Sequence, residues 1–175
     1  MFKLIGLVIV VLAVTVLGLA AMKPDTFQVE RSATIKAPPE KVYGLVSDFH
    51  QWAQWSPWER MDPAMQRTHS GAASGVGAVY AWEGNKKVGK GRMEIVDAAA
   101  PDRLTIQLDF IAPFEAHNTT RFTLARQGDA TAVHWVMTGP NLFVGKVMSV
   151  FTSMDQLVGK DFESGLANLK AVAEK

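Results

Sequence analysis

Residues 37–58 read APPEKVYGLVSDFHQWAQWSPW, and this stretch constrains the fold more than any other part of the chain. Two prolines followed by Glu40 are typical of a helix start, because proline is tolerated in the first turn and an acidic side chain suits the positive end of the helix dipole. Apolar residues then recur at helical spacing, at Val42, Leu45, Val46 and Phe49. Asp48 can cap a second, shorter helix that carries Trp52 and Trp55 and ends at the next proline. The stretch therefore predicts two consecutive short helices.

On both sides of these helices the pattern changes to the alternation expected of strands. Polar and apolar residues alternate in short runs, and glycine, proline, asparagine and aspartate separate the runs at hairpin-like distances. The runs predict the strands Phe27–Ile35, Met65–Ser70, Val76–Gly84, Gly91–Asp97, Leu104–Ile111, Ala116–Ala125 and Ala132–Thr138. One strand thus precedes the helices, and an antiparallel meander comes after them.

The helical period returns in the last part of the chain, where Leu142 to Phe151 indicates a short helix. A longer helix comes next, with an apolar stripe at Met154, Val158, Phe162, Leu166, Leu169 and Val172. A twisted sheet curls around the one long element that can cover its concave face. We therefore expect residues 24–175 to form an α+β domain of the helix-grip type, in which a curved antiparallel sheet of about seven strands wraps around the C-terminal helix.

Alternation along the predicted strands separates an apolar face from a largely polar one. The apolar positions are Tyr80, Trp82, Met93, Ile95, Ile106, Leu108, Phe110, Phe122, Leu124, Val133, Trp135 and Met137. Such a face is either packed core or the lining of a cavity, because aromatic residues dominate both. If it lines a cavity, the candidate ligand-binding residues are Tyr80, Trp82, Met93, Ile95, Leu108, Phe110, Trp135, Met137 and Trp55.

Several motifs together resemble the START-related helix-grip superfamily, the SRPBCC group of polyketide cyclase/dehydrase-like and lipid-transport proteins. They lie at residues 37–58, 80–85 (YAWEGN), 88–93 (VGKGRM), 131–139, 161–163 (DFE) and 165–170 (GLANLK). The resemblance implies a hydrophobic cavity between sheet and C-terminal helix that holds a lipid-like or polycyclic molecule. It also implies that Trp52, Trp55 and Trp58 lie in short helices that close one end, either as core or in contact with ligand. One scaffold of this kind hosts many activities, so function has to be argued from the site.

The N-terminal segment lies outside this domain. Residues 4–22 carry no charge, and a helix of this length covers about the thickness of a hydrocarbon core. We therefore predict that residues 1–23 form a retained transmembrane anchor, and the alternative is a cleaved signal peptide. Basic residues after the span favour a cytoplasmic domain by the positive-inside rule. A signal-like first segment with a short basic tail more often exports the domain behind it, so we favour an exported, periplasmic domain.

Composition narrows the functional classes. The 175 residues are 48% hydrophobic and 20% charged, which excludes an intrinsically disordered chain. The absence of cysteine excludes disulfides, thiolate metal sites and a cysteine nucleophile. A net charge of +1 gives no strong field for nucleic acid.

Ionisable residues that could carry chemistry are scattered. His50 and His69 lie outside any metal-binding spacing, and Glu94, Asp109, His117 and His134 fall on the predicted outer face. Glu59 and Asp62 come after the tryptophans and could reach the mouth of a cavity, but no acid–base group lies in register beside the apolar strand positions. We therefore predict no catalytic residue, no metal and no cofactor.

Two functions remain open, together with a simpler interpretation. The first is a membrane-tethered binding or carrier protein for a hydrophobic small molecule or lipid. The second is a polyketide cyclase/dehydratase-like enzyme, which an inward-facing carboxylate or histidine in a closed cavity would favour. The simpler interpretation is a packed domain without a cavity that acts through its surface.

Overall fold

The computed structural model describes residues 2–175, so that Met1, the first residue of the predicted anchor, lies outside the described residues. The helices are α1 (Phe2–Ala21), α2 (Pro39–Ser47), α3 (Phe143–Met148) and α4 (Met154–Ala173). The strands are β1 (Thr26–Ile35), β2 (Gln66–Gly71), β3 (Ala78–Glu83), β4 (Lys90–Ala99), β5 (Arg103–Ala112), β6 (Ala116–Gln127) and β7 (Ala130–Pro140). Two 3-10 helices, Phe49–Gln54 and Pro57–Arg60, come after α2, and we call residues 49–60 the tryptophan segment.

The seven strands form one antiparallel sheet in the order β1-β7-β6-β5-β4-β3-β2. Strands β2 to β7 form a meander, and β1 pairs with β7 so that Thr26 lies opposite Pro140 and Ile35 opposite Thr131. The helix α4 packs against β1 and against the tryptophan segment. The predicted α+β helix-grip fold is confirmed.

Local sequence explains where the helices begin. Pro38 and Pro39 start α2, and the Asp48 carboxylate accepts a hydrogen bond from the backbone N–H of His50 at 2.9 Å, which caps the first 3-10 helix. Ser153 and Gln156 form a capping box at the start of α4. The second predicted helix is present as a 3-10 helix, but it ends at Gln54, so that Trp52 lies within it and Trp55 follows it.

The core lies between the sheet and the helices, and the predicted inner face of the sheet is confirmed. Along β7, Val133, Trp135 and Met137 are buried, whereas His134 is exposed. The largest fully buried side chains include members of β4 to β7, α2, α4 and the tryptophan segment. Burial of this apolar surface is the main source of stability in a domain of this size.

One end of the sheet lies next to α1. Thr26 starts β1 there, Pro140 ends β7 there, and the turns at residues 84–89 and 113–115 lie at the same end because neighbouring strands are antiparallel. We call this the α1 end of the sheet. The connection from α1 is fixed there, because the backbone N–H of Asn141 donates to the carbonyl of Asp25 at 2.7 Å.

Candidate functional site

A cavity of about 370 Å³ lies between the sheet and α4, toward the α1 end of the sheet. Its walls come from strands β3 to β7, from the tryptophan segment and the residues after it, and from the first half of α4. The apolar wall residues are Trp52, Trp58, Met61, Met65, Tyr80, Trp82, Val88, Met93, Leu108, Phe110, Trp135, Met137, Leu157, Val158 and Phe162. The volume falls within the range of small-molecule sites, which is roughly 300–1,000 Å³.

The two halves of the interior are filled differently. Away from the α1 end, Val42 and Val46 of α2 are fully buried, as are Leu104 and Ile106 of β5. Further along β5, toward the α1 end, Leu108 and Phe110 are only half-buried. The tryptophan segment covers that half in place of a continued α2, and the cavity remains between it, the sheet and α4.

The structure brings seven of the nine predicted ligand-binding residues together on the cavity wall. These are Tyr80, Trp82, Met93, Leu108, Phe110, Trp135 and Met137. Their role in ligand binding stays a prediction, since their position is all that the geometry gives.

The other two predicted residues, Ile95 and Trp55, are fully buried in the packed half of the core and not on the wall. Ile95 pairs with Ile106, which places it beyond the cavity along β4. Trp55 packs against Trp52 with ring centroids 4.7 Å apart, and its Nε1 donates to the carbonyl of Leu45 at 3.0 Å. Alternation gives the correct face for Ile95, but it cannot show how far along a strand the packed core extends.

Trp135 lies at the centre of an aromatic stack on the cavity wall. Its ring is nearly parallel to those of Phe122 and Phe162, with centroid distances of 4.9 Å and 4.1 Å, and the ring of Trp58 meets it edge-on. The Nε1 of Trp135 is buried and has no hydrogen-bond partner within residues 2–175. A buried donor without a partner costs about 1–3 kcal/mol, which a ligand acceptor within reach would recover.

A carboxylate also reaches the cavity wall. The hydroxyl of Tyr80 donates to Glu59, and the other carboxylate oxygen of Glu59 accepts from Nε of Arg67 at 2.6 Å. The Glu59 side chain is only 8% exposed. Burial, and then the bond to Glu59, raise the pKa of Tyr80 above its usual value.

The prediction that no acid–base group lies beside the apolar strand residues is therefore wrong. Glu59 comes from a 3-10 helix, so strand alternation could not reveal it, but its position after the tryptophans did indicate that it could reach the cavity. Asp62, the other predicted candidate, does not line the cavity. Its carboxylate accepts the backbone N–H groups of Ala64 and Asn85 and holds the turn at residues 84–89.

Four further polar residues line the cavity, and sequence reasoning missed them as site residues. Ser56 and Thr120 are buried, Asp161 of α4 is half-buried, and Lys87 is exposed. Burial raises the pKa of Asp161 above its usual value. Thr120 could have been found, because it alternates with Phe122 on the inner face of β6.

The predicted outer-face groups lie away from the cavity. His117 is exposed, and its hydrogen bond with Asp109, at 2.8 Å, raises the pKa of the imidazole. Within residues 2–175, no three histidine, aspartate or glutamate side chains gather as ligands of a metal ion would.

Comparison with known proteins identifies the family. The sequence profile described as polyketide cyclase/dehydrase and lipid transport matches residues 26–174, from the start of β1 to the residue before the last. The chain belongs to this family. None of the curated proteins matches it.

Solved structures share the fold at low identity. A protein from Chromobacterium violaceum is 18% identical, with a TM-score of 0.60, over 87% of this chain and 99% of its own. The Aha1 dimer from Colwellia psychrerythraea is 18% identical, with a TM-score of 0.56, over 85% of this chain and 96% of its own. The di-domain ARO/CYC protein BexL is 19% identical, with a TM-score of 0.62, over 90% of this chain and 53% of its own. Identities this low establish the fold and not the activity.

Proposed function

We propose that the protein is a membrane-tethered binding or carrier protein for a hydrophobic small molecule or lipid. The observation that carries the proposal is the cavity of about 370 Å³ with a wall that is largely aromatic and aliphatic. Its family, described as polyketide cyclase/dehydrase and lipid transport, supports a hydrophobic ligand.

The energetics of an apolar cavity support this function. A ligand that buries roughly 500 Å² of apolar surface gains about 12 kcal/mol at 25 cal/mol per Å², and an ordering cost at the low end of its range, about 4 kcal/mol, leaves about 8 kcal/mol. A micromolar dissociation constant corresponds to a binding free energy of about 8 kcal/mol. A lipid-sized molecule can therefore bind without a covalent bond. The wall also carries polar atoms, so the ligand can have polar groups as well; these wall atoms belong to Ser56, Glu59, Lys87, Thr120 and Asp161.

The tether is the second part of the proposal. The helix α1 is long and apolar enough to cross a membrane over Lys3–Ala21. We infer that it is retained as a single-pass anchor and that the domain of residues 24–175 is exported to the periplasm. An anchored carrier would meet its ligand where hydrophobic molecules partition. A mature N-terminus near Ala21 in a membrane-free fraction would contradict retention.

A cyclase/dehydratase-like enzyme is the second candidate, and the hydrogen bond between Tyr80 and Glu59 on the wall favours it. Inward-facing carboxyl groups in an apolar site can exchange protons with a substrate. Against this, Arg67 neutralises Glu59 at 2.6 Å, so this carboxylate is already paired. The half-buried Asp161, whose pKa is raised, is the better placed proton donor.

Mass spectrometry of molecules that co-purify with the detergent-extracted full chain tests the proposal. We expect an amphiphile that is retained by the parent and by Val96→Trp, an exposed control on β4, but lost from Leu108→Trp, which fills the cavity. Equal amounts in all three proteins would overturn the binding function. If the retained molecule is converted on incubation, and Asp161→Asn abolishes conversion but not binding, the enzyme is correct instead.

A further inference from the structure

Exposed apolar side chains are concentrated at the α1 end of the sheet. They include Ile111, Phe114, Leu142, Phe143, Val144 and Phe151. Phe114, in the turn between β5 and β6, is 80% exposed, and Phe151, between α3 and α4, is 74% exposed. Within residues 2–175, the exposed large apolar side chains that lie away from α1 and this end are Val76 and Val96. Isolated exposed apolar residues are ordinary, whereas a cluster at one end marks a contact surface.

The helix α1 leads directly to this cluster. Its last turn packs beside α3, and Ala20 is fully buried there. Lys146 of α3 pairs with the Asp25 carboxylate at 2.5 Å, which fixes the chain just after α1. If α1 crosses a bilayer, the exposed start of α3 therefore lies at the level where α1 leaves the hydrocarbon.

The charges at this end suit a lipid surface. Lys86 and Lys87 are exposed in the turn at residues 84–89, and Lys23 lies just after α1. The acidic residues Asp25, Glu83 and Glu115 lie at the same end, and each is within ion-pair distance of a basic side chain. Apolar side chains flanked by lysines are the composition of a surface that lies in the headgroup region of anionic membranes. Continuity with the membrane-spanning helix favours a bilayer over a second copy of the chain or another protein.

We propose that the α1 end of the sheet docks on the bilayer surface, with Phe114 and the start of α3 in contact with lipid. The inference rests on the proposed anchoring by α1. The cavity reaches the same end, because Val88, Phe110 and Leu157 are wall residues. A lipid could then pass between membrane and cavity without crossing bulk water.

Single-cysteine labelling of the full chain tests the docking, since the sequence contains no cysteine. Four single-cysteine variants are each labelled with bimane and reconstituted in liposomes of phosphatidylcholine and phosphatidylglycerol. They are Phe114→Cys, Phe143→Cys, Leu12→Cys in α1 and Asp129→Cys in the turn between β6 and β7. One set of liposomes contains lipids with acyl chains brominated near the headgroup, and a parallel set contains lipids brominated near the bilayer centre. The set that quenches the bimane fluorescence reports the depth of each label. We expect the labels at 114 and 143 to lose fluorescence to the shallow bromines, the label at 12 to the deep ones, and the label at 129 to neither.

The outcomes separate the docking from the anchoring. Loss at position 12 together with unchanged fluorescence at 114 and 143 overturns the docking and leaves the anchor intact. Unchanged fluorescence at position 12 overturns the anchor itself. Iodide added to the aqueous phase quenches labels that are exposed to water. If neither brominated lipid nor iodide quenches the labels at 114 and 143, these positions are covered by protein, which also overturns docking on lipid.

Discussion

The ring of Phe162 on α4 stacks on the ring of Trp135 on β7, with centroids 4.1 Å apart and planes 25° apart. The contact joins the C-terminal helix to the inner face of the sheet at the boundary between packed core and cavity. Both residues line the cavity, and both are almost fully buried. We therefore expect this pair to affect both the stability of the domain and the binding of any ligand in the cavity.

Truncation of two buried residues in the apolar stripe of α4 should unfold the domain. Truncation of one buried Phe or Leu to Ala lowers the free energy of unfolding by about 2–5 kcal/mol. The whole free energy of unfolding of a domain is only about 5–15 kcal/mol. We expect Phe162→Ala/Leu166→Ala to be largely unfolded at growth temperature, as measured by thermal melting. Lys160→Ala, an exposed control on the same helix, should melt like the parent. A parent-like melting curve for the double variant would mean that the assigned face of α4 is wrong.

Two glycines on α4 should respond differently to alanine. A Cβ on Gly165 would lie 2.9 Å from Cζ3 of Trp135, a ring held on both faces, whereas a Cβ on Gly159 would meet the flexible end of Arg31. Alanine gains about 1 kcal/mol of helix propensity at either site. Overpacking against a fixed ring costs about 1–3 kcal/mol.

We therefore expect Gly165→Ala to lower the free energy of unfolding in urea, and Gly159→Ala to leave it unchanged or to raise it by up to about 1 kcal/mol. The reverse order would show that the Trp135 ring can move and that the ion pairs of Arg31 with Asp155 and Glu163 matter more than packing.

The two fully buried tryptophans form another matched pair. Trp55 donates to the carbonyl of Leu45, but Nε1 of Trp135 has no partner within the described part of the chain. Replacement by phenylalanine removes the same atoms from each. Trp55→Phe leaves a carbonyl without its donor, so it should cost about 1–3 kcal/mol more than Trp135→Phe in chemical denaturation. An equal or greater cost for Trp135→Phe would imply that its indole nitrogen is hydrogen-bonded after all.

The sequence predicted the fold well because helix-grip elements are encoded locally. Residues 37–58 contain the prolines, the Asp48 cap and the tryptophans, and the apolar stripe of α4 has an unambiguous period. Strand alternation likewise identified the inner face. It could not separate wall from core, as Ile95 shows, because that distinction depends on where α2 ends and the tryptophan segment begins. The contact of Glu59 with Tyr80 is equally tertiary, since it joins residues from a 3-10 helix and a strand.

Two aspartates of α4 should affect the pH dependence of stability in opposite directions. Burial raises the pKa of Asp161 above its ordinary 3.8, so its contribution to stability is lost as the pH rises through the raised value. The hydrogen bond with Arg31 lowers the pKa of Asp155, so its contribution is present above 3.8 and is lost as the pH falls through the lowered value.

At neutral pH we expect Asp161→Asn to raise the melting temperature and Asp155→Asn to lower it. Both differences in melting temperature should vanish at a pH well below 3.8, where the carboxyl groups are protonated. A decrease in melting temperature for Asp161→Asn at neutral pH would show that this carboxylate has a stabilising partner in solution.

The most direct test of the cavity is a fluorescence titration of residues 24–175 with an environment-sensitive apolar dye, followed by competition with lipid. We expect saturable binding in the micromolar range that lipid displaces, that Leu108→Trp abolishes and that Val96→Trp retains. Leu108 lies on the cavity wall, whereas Val96 is exposed on β4 away from it. The absence of saturable binding by the folded parent, or binding that Leu108→Trp leaves unchanged, would mean that the cavity is not a ligand-binding site.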